Sequence, residues 1–381
     1  MPPAERKPEP FKELFNAALV ADLATHLKRR WPGFDAKGFS AAAVKDFKKL
    51  EMKQRAQQIA AALGAYLPPD VPRALKLLIS ALRPLDKTGE PIDDAAKGLA
   101  GMVIWPMGEY VARFGLDHVD ESLAALRELT IRSTAEFAIR PFLQKHPRRV
   151  LAHLKKWAKD HNEHVRRLVS EGSRPRLPWG LRLQSFVADP KHILPLLDAL
   201  KDDPSEYVRR SVANSLNDIA KDHPDLVAVL AKRWMKGASK DRARMVRHAC
   251  RTLIKAGHGK TLAALGYADR PKIKLSGFAL STPKVKYGSF AVFALELRSQ
   301  STNPQNIVLD YVVHHVKKNG GTSPKVFKWR TLVVEPKQSL RLEKRHALRP
   351  IATRVYYPGG HRIEVMINGR VLDGADFELV L

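Results

Sequence analysis

Three carboxylates stand in an arginine-rich part of this chain. Glu136 lies in RSTAEFAIRPF, Glu171 in HVRRLVSEGSRPRLPWG (164–180), and Asp218 in YVRRSVANSLNDIAKDHPD (207–225). A carboxylate can act as a general base or stabilise a developing positive charge. Each also has a structural reading. Ser133-x-x-Glu136 fits a capping box, in which the Glu side chain reaches back to the cap. Glu171 precedes Gly172, which reads as a helix C-cap, and the arginines at 166, 167, 174 and 176 could simply neutralise it at the negative end of the helix dipole. Asp218 could pair on the surface with Lys221, three residues on. Trp179, braced between Pro178 and Gly180, is either a plug under the loop or an exposed platform whose indole face would favour cations.

Other chemistry finds little support. No glycine-rich phosphate loop leads into Lys and Ser or Thr, and there is no HExxH. His161 and His164 have a spacing that serves a metal only with further ligands, so solvated turn histidines are expected. His314 and His315 point to opposite faces of a strand. We therefore expect neither a metal nor another cofactor.

The 381 residues carry a formal net charge of +27. Of this, +11 falls in 270–381, where 19 basic side chains face 8 acidic ones. Such an excess implies a polyanionic partner, nucleic acid or an anionic membrane surface. Cys250 is the single cysteine, which excludes a disulfide framework and suits a reducing compartment. No apolar run approaches a membrane span, and the first 15 residues lack the apolar core of a secretory signal. A cytoplasmic, nucleoid-associated protein of the bacterial-cytosol type is the expectation.

The elements that must hold these residues are mostly helices. From residue 11 to about 265, apolar side chains recur at spacings of three and four, as in Leu75-Leu78-Ile79-Leu82. The segments 146–169, 189–212 and 223–250 repeat one another. Each opens with His-Pro or Asp-Pro, continues as an apolar helix and a polar turn, and enters a second helix carrying Val-Arg. Pro147, Pro190 and Pro224 correspond, as do Val165, Val208 and Val246. A two-helix unit repeating about every 40 residues is a HEAT or armadillo pattern, which stacks into a solenoid. In 206–219 the stripe Val208, Val212, Leu216, Ile219 predicts a buried side, with Arg210, Asn214, Asn217, Asp218 and Lys221 opposite.

Near residue 270 the pattern changes to β-branched and aromatic runs at 290–299, 307–318, 326–334, 339–345 and 362–367. Asn319-Gly320-Gly321, Pro336, Pro358-Gly359-Gly360 and Asn368-Gly369 separate them. The expected fold is mostly α: a HEAT-like solenoid over 1–268, then a small immunoglobulin-like antiparallel sandwich over 269–381.

EFAIRPF (136–142), HVRRLVSEGSRPRLPWG and YVRRSVANSLNDIAKDHPD resemble the signature stretches of the AlkC-type DNA alkylation-repair glycosylases. So do EPFKELFN (9–16) and FKKLEMKQRAQQIAAAL (47–63), and the resemblance spans roughly 9–265. It implies an enzyme that hydrolyses the N-glycosidic bond of cationic alkylated bases in duplex DNA. The class is led by 3-methyladenine and includes 3-methylcytosine and 1-methyladenine. It also implies excision without swinging the nucleotide into a pocket, and an Ig-like domain that assists DNA binding. Carried over by motif, Glu136, Glu171 and Asp218 are the acidic active-site residues and Trp179 their aromatic partner. Arg166, Arg167, Arg174, Arg176, Arg209, Arg210 and Arg247 would hold phosphates. A monomer is expected. Two other classes stay open: a non-catalytic DNA- or RNA-binding solenoid, and a HEAT scaffold for acidic proteins.

Overall fold

A computed structural model describes residues 10–268, 270–351 and 354–381. Glu9, which opens the stretch EPFKELFN, and most of the segment read for a secretory signal lie outside them. The chain forms two compact units that divide between Asp218 and Ile219.

In the first unit the helices are α1 (Ala17–Arg30), α2 (Ala36–Val44), α3 (Met52–Tyr66), α4 (Val71–Ser80), α5 (Ile104–Phe114), α6 (Val119–Arg132), α7 (Ile139–Lys145), α8 (Pro147–Trp157), α9 (Glu163–Gly172), α10 (Gln184–Ala188), α11 (Leu194–Leu200) and α12 (Glu206–Ile219). Caps set several starts: Asn16, Asp35, Asp70 and Asn162 each accept a backbone N–H of the first turn. The repeat prolines sit where a proline costs nothing. Pro147 is in the first turn of α8, and Pro190 opens a 3-10 turn ahead of α11. Phe15, Leu23, Leu27, Phe34, Phe39, Ile59 and Leu63 form a core at the N-terminal end, each at most 1% exposed. Further on, α9 packs on α6, α8 and α11, burying Val165, Leu168 and Val169.

The expected stripe of α12 is buried, but so is much of its other side. Asn217 and Asp218 are 6% and 2% exposed, whereas Arg210 and Lys221 are exposed, so only part of the polar side meets solvent.

In the second unit, α13 (Pro224–Met235), α14 (Lys240–Ala249), α15 (Arg251–Lys255) and α16 (Gly259–Ala264) precede eight strands among the described residues. These are β1 (Ile273–Leu280), β2 (Lys284–Lys286), β3 (Phe290–Ser299), β4 (Gln305–Val316), β5 (Thr322–Val334), β6 (Ser339–Ala347), β7 (Gly359–Ile367) and β8 (Arg370–Val380). Sheet β1-β3-β6 faces sheet β2-β8-β7-β4-β5. Phe293, Leu295, Leu297, Tyr311, Ile363, Val365 and Phe377 fill the space between them, so the fold is a sandwich following helices.

Two details depart from the expected antiparallel pattern of five strands. The short β2 pairs with β8 in parallel. In addition β1, β2 and β8 carry weaker signals than the strands read from sequence: β1 holds an internal Gly277 and β8 holds Gly374 and three acids. At Pro358-Gly359-Gly360 the glycines already belong to β7. The Asn368-Gly369 turn behaves as its residues require, with φ of 49° and 78° in a tight hairpin.

That hairpin meets the end of the helical segment. A Cβ on Gly369 would lie 2.1 Å from the Gly257 Cα, so the two backbones touch where only glycine fits. Asn368 stitches the contact, donating from Nδ2 to the Ala268 carbonyl at 2.6 Å and accepting the Val308 N–H at 2.7 Å. Asn306 donates to the Gly266 carbonyl at 3.1 Å.

Candidate active site

The three carboxylates converge in the first unit, brought together by two arginines. Glu136 lies in the turn between α6 and α7, Glu171 in the last turn of α9, and Asp218 near the end of α12. Arg174, just past α9, donates from Nη1 to Glu171 Oε1 at 2.6 Å and from Nε to Asp218 Oδ2 at 2.8 Å. Arg167, one helical turn before Glu171, reaches Glu136 Oε2 at 2.6 Å and lies 3.7 Å from Glu171 Oε1. The second oxygen of Glu171 accepts from the Ser211 hydroxyl at 2.7 Å. Ser170 and Ser211 in turn share a hydrogen bond of 2.7 Å. Thr134 donates to Glu136 at 2.9 Å.

Burial differs among the three. The Glu136 side chain is 13% exposed, that of Glu171 7% and that of Asp218 3%. For charges so enclosed, pairing is a condition of folding. The pairing also shifts Arg174. Burial pulls its pKa down, but the Asp218 hydrogen bond and the Glu171 and Asp218 charges outweigh it, and the net direction is up.

Several structural readings of these residues give way. Glu136 does not close a capping box, because α7 begins only at Ile139 and the carboxylate turns toward Thr134 and Arg167. Gly172 is not a left-handed C-cap. It is the last residue of α9, with Ser173 as the cap, and a Cβ on it would meet Ile139 at 2.6 Å. Close packing, not φ, asks for glycine there. Asp218 is buried and paired with Arg174, so it is not a surface carboxylate.

Trp179 is a platform, not a plug, with 72% of the residue exposed. Leu177-Pro178-Trp179-Gly180 is a turn closed by the Gly180 N–H on the Leu177 carbonyl at 3.2 Å. Proline takes its second position, and Trp179 takes the third with φ of 64°. A left-handed φ at that position is the type II pattern, which normally calls for glycine. The backbone conformation turns a large aromatic outward at a conformational cost.

The arginines expected on phosphates divide. Arg166 grips Asp203 with both arms, at 2.7 and 3.0 Å, and also donates to the Asp160 and His161 carbonyls. Arg174 and Arg209 are buried, and Arg209 donates to the Asp203 and Pro204 carbonyls at 2.6 and 2.8 Å. Internal contacts thus occupy Arg166, Arg174 and Arg209, which the resemblance assigns to phosphates. Arg176 is half-buried, and Arg210 and Arg247 are exposed. Arg167 lies over the Tyr207 ring, 4.8 Å from its centroid.

Sequence reasoning missed Tyr207, Ser211, Thr134 and Arg140. Tyr207 is 42% exposed beside Arg167, and burial raises its pKa against the opposing Arg167 charge. Only its place directly before Val208-Arg209-Arg210 could have flagged it. Among the described residues no group of histidine, cysteine and acidic side chains could hold a metal ion. His161 lies 3.4 Å from Asp160 and His164 3.6 Å from Glu90. No helix among the described residues is long and apolar enough to cross a membrane.

Residues 129–255 match the family described as DNA alkylation repair enzyme, and 274–381 match the C-terminal Ig-like domain of the uncharacterised protein YhaZ. The uncharacterized protein YhaZ of Bacillus subtilis (strain 168) is 35% identical over 369 residues, covering 97% of this chain and 99% of its own. The alkylpurine DNA glycosylase AlkC of Pseudomonas fluorescens, solved bound to DNA containing an abasic site analog, superposes with a TM-score of 0.86. It is 37% identical, over 97% of this chain and 99% of the other.

The chain belongs to the AlkC family of DNA alkylation repair proteins. The AlkC match extends over both the helical part and the sandwich. Glu136, Glu171, Trp179 and Asp218 all fall inside the segment matched to the alkylation-repair model.

Proposed function

We propose that this protein is a DNA glycosylase that hydrolyses the N-glycosidic bond of cationic alkylated bases in duplex DNA. 3-Methyladenine leads the class, with 3-methylcytosine and 1-methyladenine as further members. The observation that carries the reading is the clustering of Glu136, Glu171 and Asp218 around Arg167 and Arg174. A pure DNA binder gains nothing from carboxylates, which repel phosphates, and a protein scaffold has no need to gather three of them, two buried, around shared arginines.

The chemistry follows from the leaving group. An alkylated cationic base departs with the electron pair of its glycosidic bond and is neutralised by it, so no acid need protonate it. The deoxyribose becomes oxocarbenium-like. A carboxylate beside it stabilises the positive charge and takes a proton from the water that adds to the anomeric carbon. Neutral bases lack that advantage, which makes charge the basis of selectivity. The Trp179 face adds attraction for a cation or a positively polarised sugar.

In this proposal residues 1–268 carry the glycosylase site and 269–381 assist DNA binding. Arg176, Arg210 and Arg247 are the arginines assigned to phosphates, while Arg167 holds Glu136. The protein acts as a monomer in the cytoplasm at the nucleoid, and excision proceeds without swinging the nucleotide out, as the family resemblance implies.

The test is release of free bases from methylated duplex DNA, with wild type beside Glu171→Gln. Release of 3-methyladenine by wild type and its loss in the variant, with DNA binding retained, supports the reading. Binding without release by wild type would make the protein a non-catalytic DNA-binding solenoid.

A further inference from the structure

Among the described residues Arg140 is the largest fully buried side chain, with no exposed surface. It stands in the first turn of α7, and its guanidinium takes hold of a distant loop at both ends. Nη1 donates to the Gly172 carbonyl at 2.7 Å, and Nε donates to the Leu181 carbonyl at 2.6 Å. Between those two carbonyls lie Arg174, which joins Glu171 to Asp218, and Trp179, held at a φ of 64°. Gly180 passes directly over the arginine: a Cβ there would lie 3.2 Å from both Cδ and Nε.

The arrangement is costly for a merely structural residue. Nη2 is buried and has no hydrogen-bond partner among the described residues, an expensive state for a polar group. Burial, followed by the nearby Arg174 charge, pulls the Arg140 pKa down to about 10, against the opposing charges of Asp218, Glu136 and Glu171. What the guanidinium provides, and an apolar side chain cannot, is two diverging donors at a fixed angle.

We propose that Arg140 is a positioning residue for Trp179: by fixing the carbonyls of Gly172 and Leu181 it sets the left-handed turn and holds the exposed indole in its orientation. The proposal rests on the glycosylase reading for its kinetic consequence, while its structural consequence is independent of that reading. A lysine keeps the charge but donates from a single nitrogen, which cannot reproduce the fixed spacing of Nε and Nη1, so Arg140→Lys should loosen the loop.

The experiment is a double-mutant cycle between Arg140→Lys and Trp179→Ala, read as base release in single turnover, with thermal midpoints confirming that each variant is folded at the assay temperature. A displacement of a contacting group by about 1 Å costs on the order of 100-fold. We expect a loss of about tenfold or more from Arg140→Lys in the wild-type background, and less than about twofold when Trp179 is already alanine. Equal losses in both backgrounds, or no loss in either, would overturn the proposal. Emission of Trp179, isolated as the difference between wild type and Trp179→Phe, supplies the independent arm. Its acrylamide quenching should change in Arg140→Lys. Unchanged quenching would overturn the proposal even if wild type released no base, an outcome that by itself counts only against the glycosylase reading.

Discussion

Glu171 and Asp218 share one guanidinium. They are 47 positions apart and belong to different helices, yet Arg174 contacts the first at 2.6 Å through Nη1 and the second at 2.8 Å through Nε. Two nearly buried carboxylates would repel each other without it. Arg174 therefore allows both charges to exist at one place, which differs from holding a phosphate.

Removal of this shared cation should be felt first as instability. Arg174→Met leaves two buried carboxylates short of a partner, a change expected to cost about 3–5 kcal/mol. Chemical denaturation measures it, and a loss below about 1 kcal/mol would show that the carboxylates find other cations.

Glu171→Gln, in contrast, keeps an acceptor for Arg174 or Ser211 and removes only the charge. Base release should fall by about 100-fold or more, the usual reach of a general base. Affinity for an abasic-site duplex should stay within a few-fold. Parallel loss of affinity and rate would assign Glu171 a structural role.

The turn at Trp179 predicts opposite effects on stability and activity. Glycine accepts a φ of 64° that tryptophan adopts under strain, so Trp179→Gly should be as stable as wild type, or more so by about 1 kcal/mol. Base release should nonetheless drop. Thermal unfolding beside single-turnover assays separates the two, and a destabilised glycine variant would mean that the exposed indole packs more than its surface suggests.

Two arginines that the sequence treats alike should part company in salt titrations. Arg247→Ala should lower the slope of log K against log salt for DNA binding by about 1. Arg166→Ala should leave that slope alone and lower the thermal midpoint, because its partner is Asp203.

The sandwich core should lose stability in acid. His315, His346 and His361 are 4%, 6% and 1% exposed, and the His315 ring centroid lies 6.0 and 5.8 Å from the other two. Burial depresses all three, His315 to about 3 and His346 to about 4. An unfolded histidine titrates near 6.5. Below that pH the unfolded chain binds protons that the folded core refuses, so stability is complete above about 6.5 and declines as the pH falls toward the folded values. Each histidine contributes a slope of about 1.4 kcal/mol per pH unit. Denaturation between pH 7 and 4.5 should show it, with a shallower slope in His315→Phe. Equal slopes would place the acid sensitivity elsewhere.

Much of this organisation is legible in the sequence alone. The Val208–Ile219 stripe follows from the helical period, and the repeat prolines mark helix starts. Of the strands that escape the pattern, β1 and β8 are diluted by glycine or acidic residues and β2 is only three residues long. Within the site the limits are geometric. Arg166 and Arg167 are adjacent, but about 100° of helical rotation sends one to Asp203 and the other to Glu136. Nothing in the sequence distinguishes them. Arg140 escapes notice because its partners are main-chain carbonyls 32 and 41 residues away, and carbonyls leave no mark in residue type. A positive φ at tryptophan is equally silent, since only glycine announces such a backbone.

The contact between Gly257 and Gly369 bears on how this architecture can be rearranged. Two chains that meet main chain to main chain leave no side chains to retune, and any larger residue at either point pushes them apart. The sandwich is therefore not a freely exchangeable module. Moved to another protein, it would have to travel with the helices from α13 onward, so gene shuffling that cuts where helices give way to strands would separate parts that fit only each other.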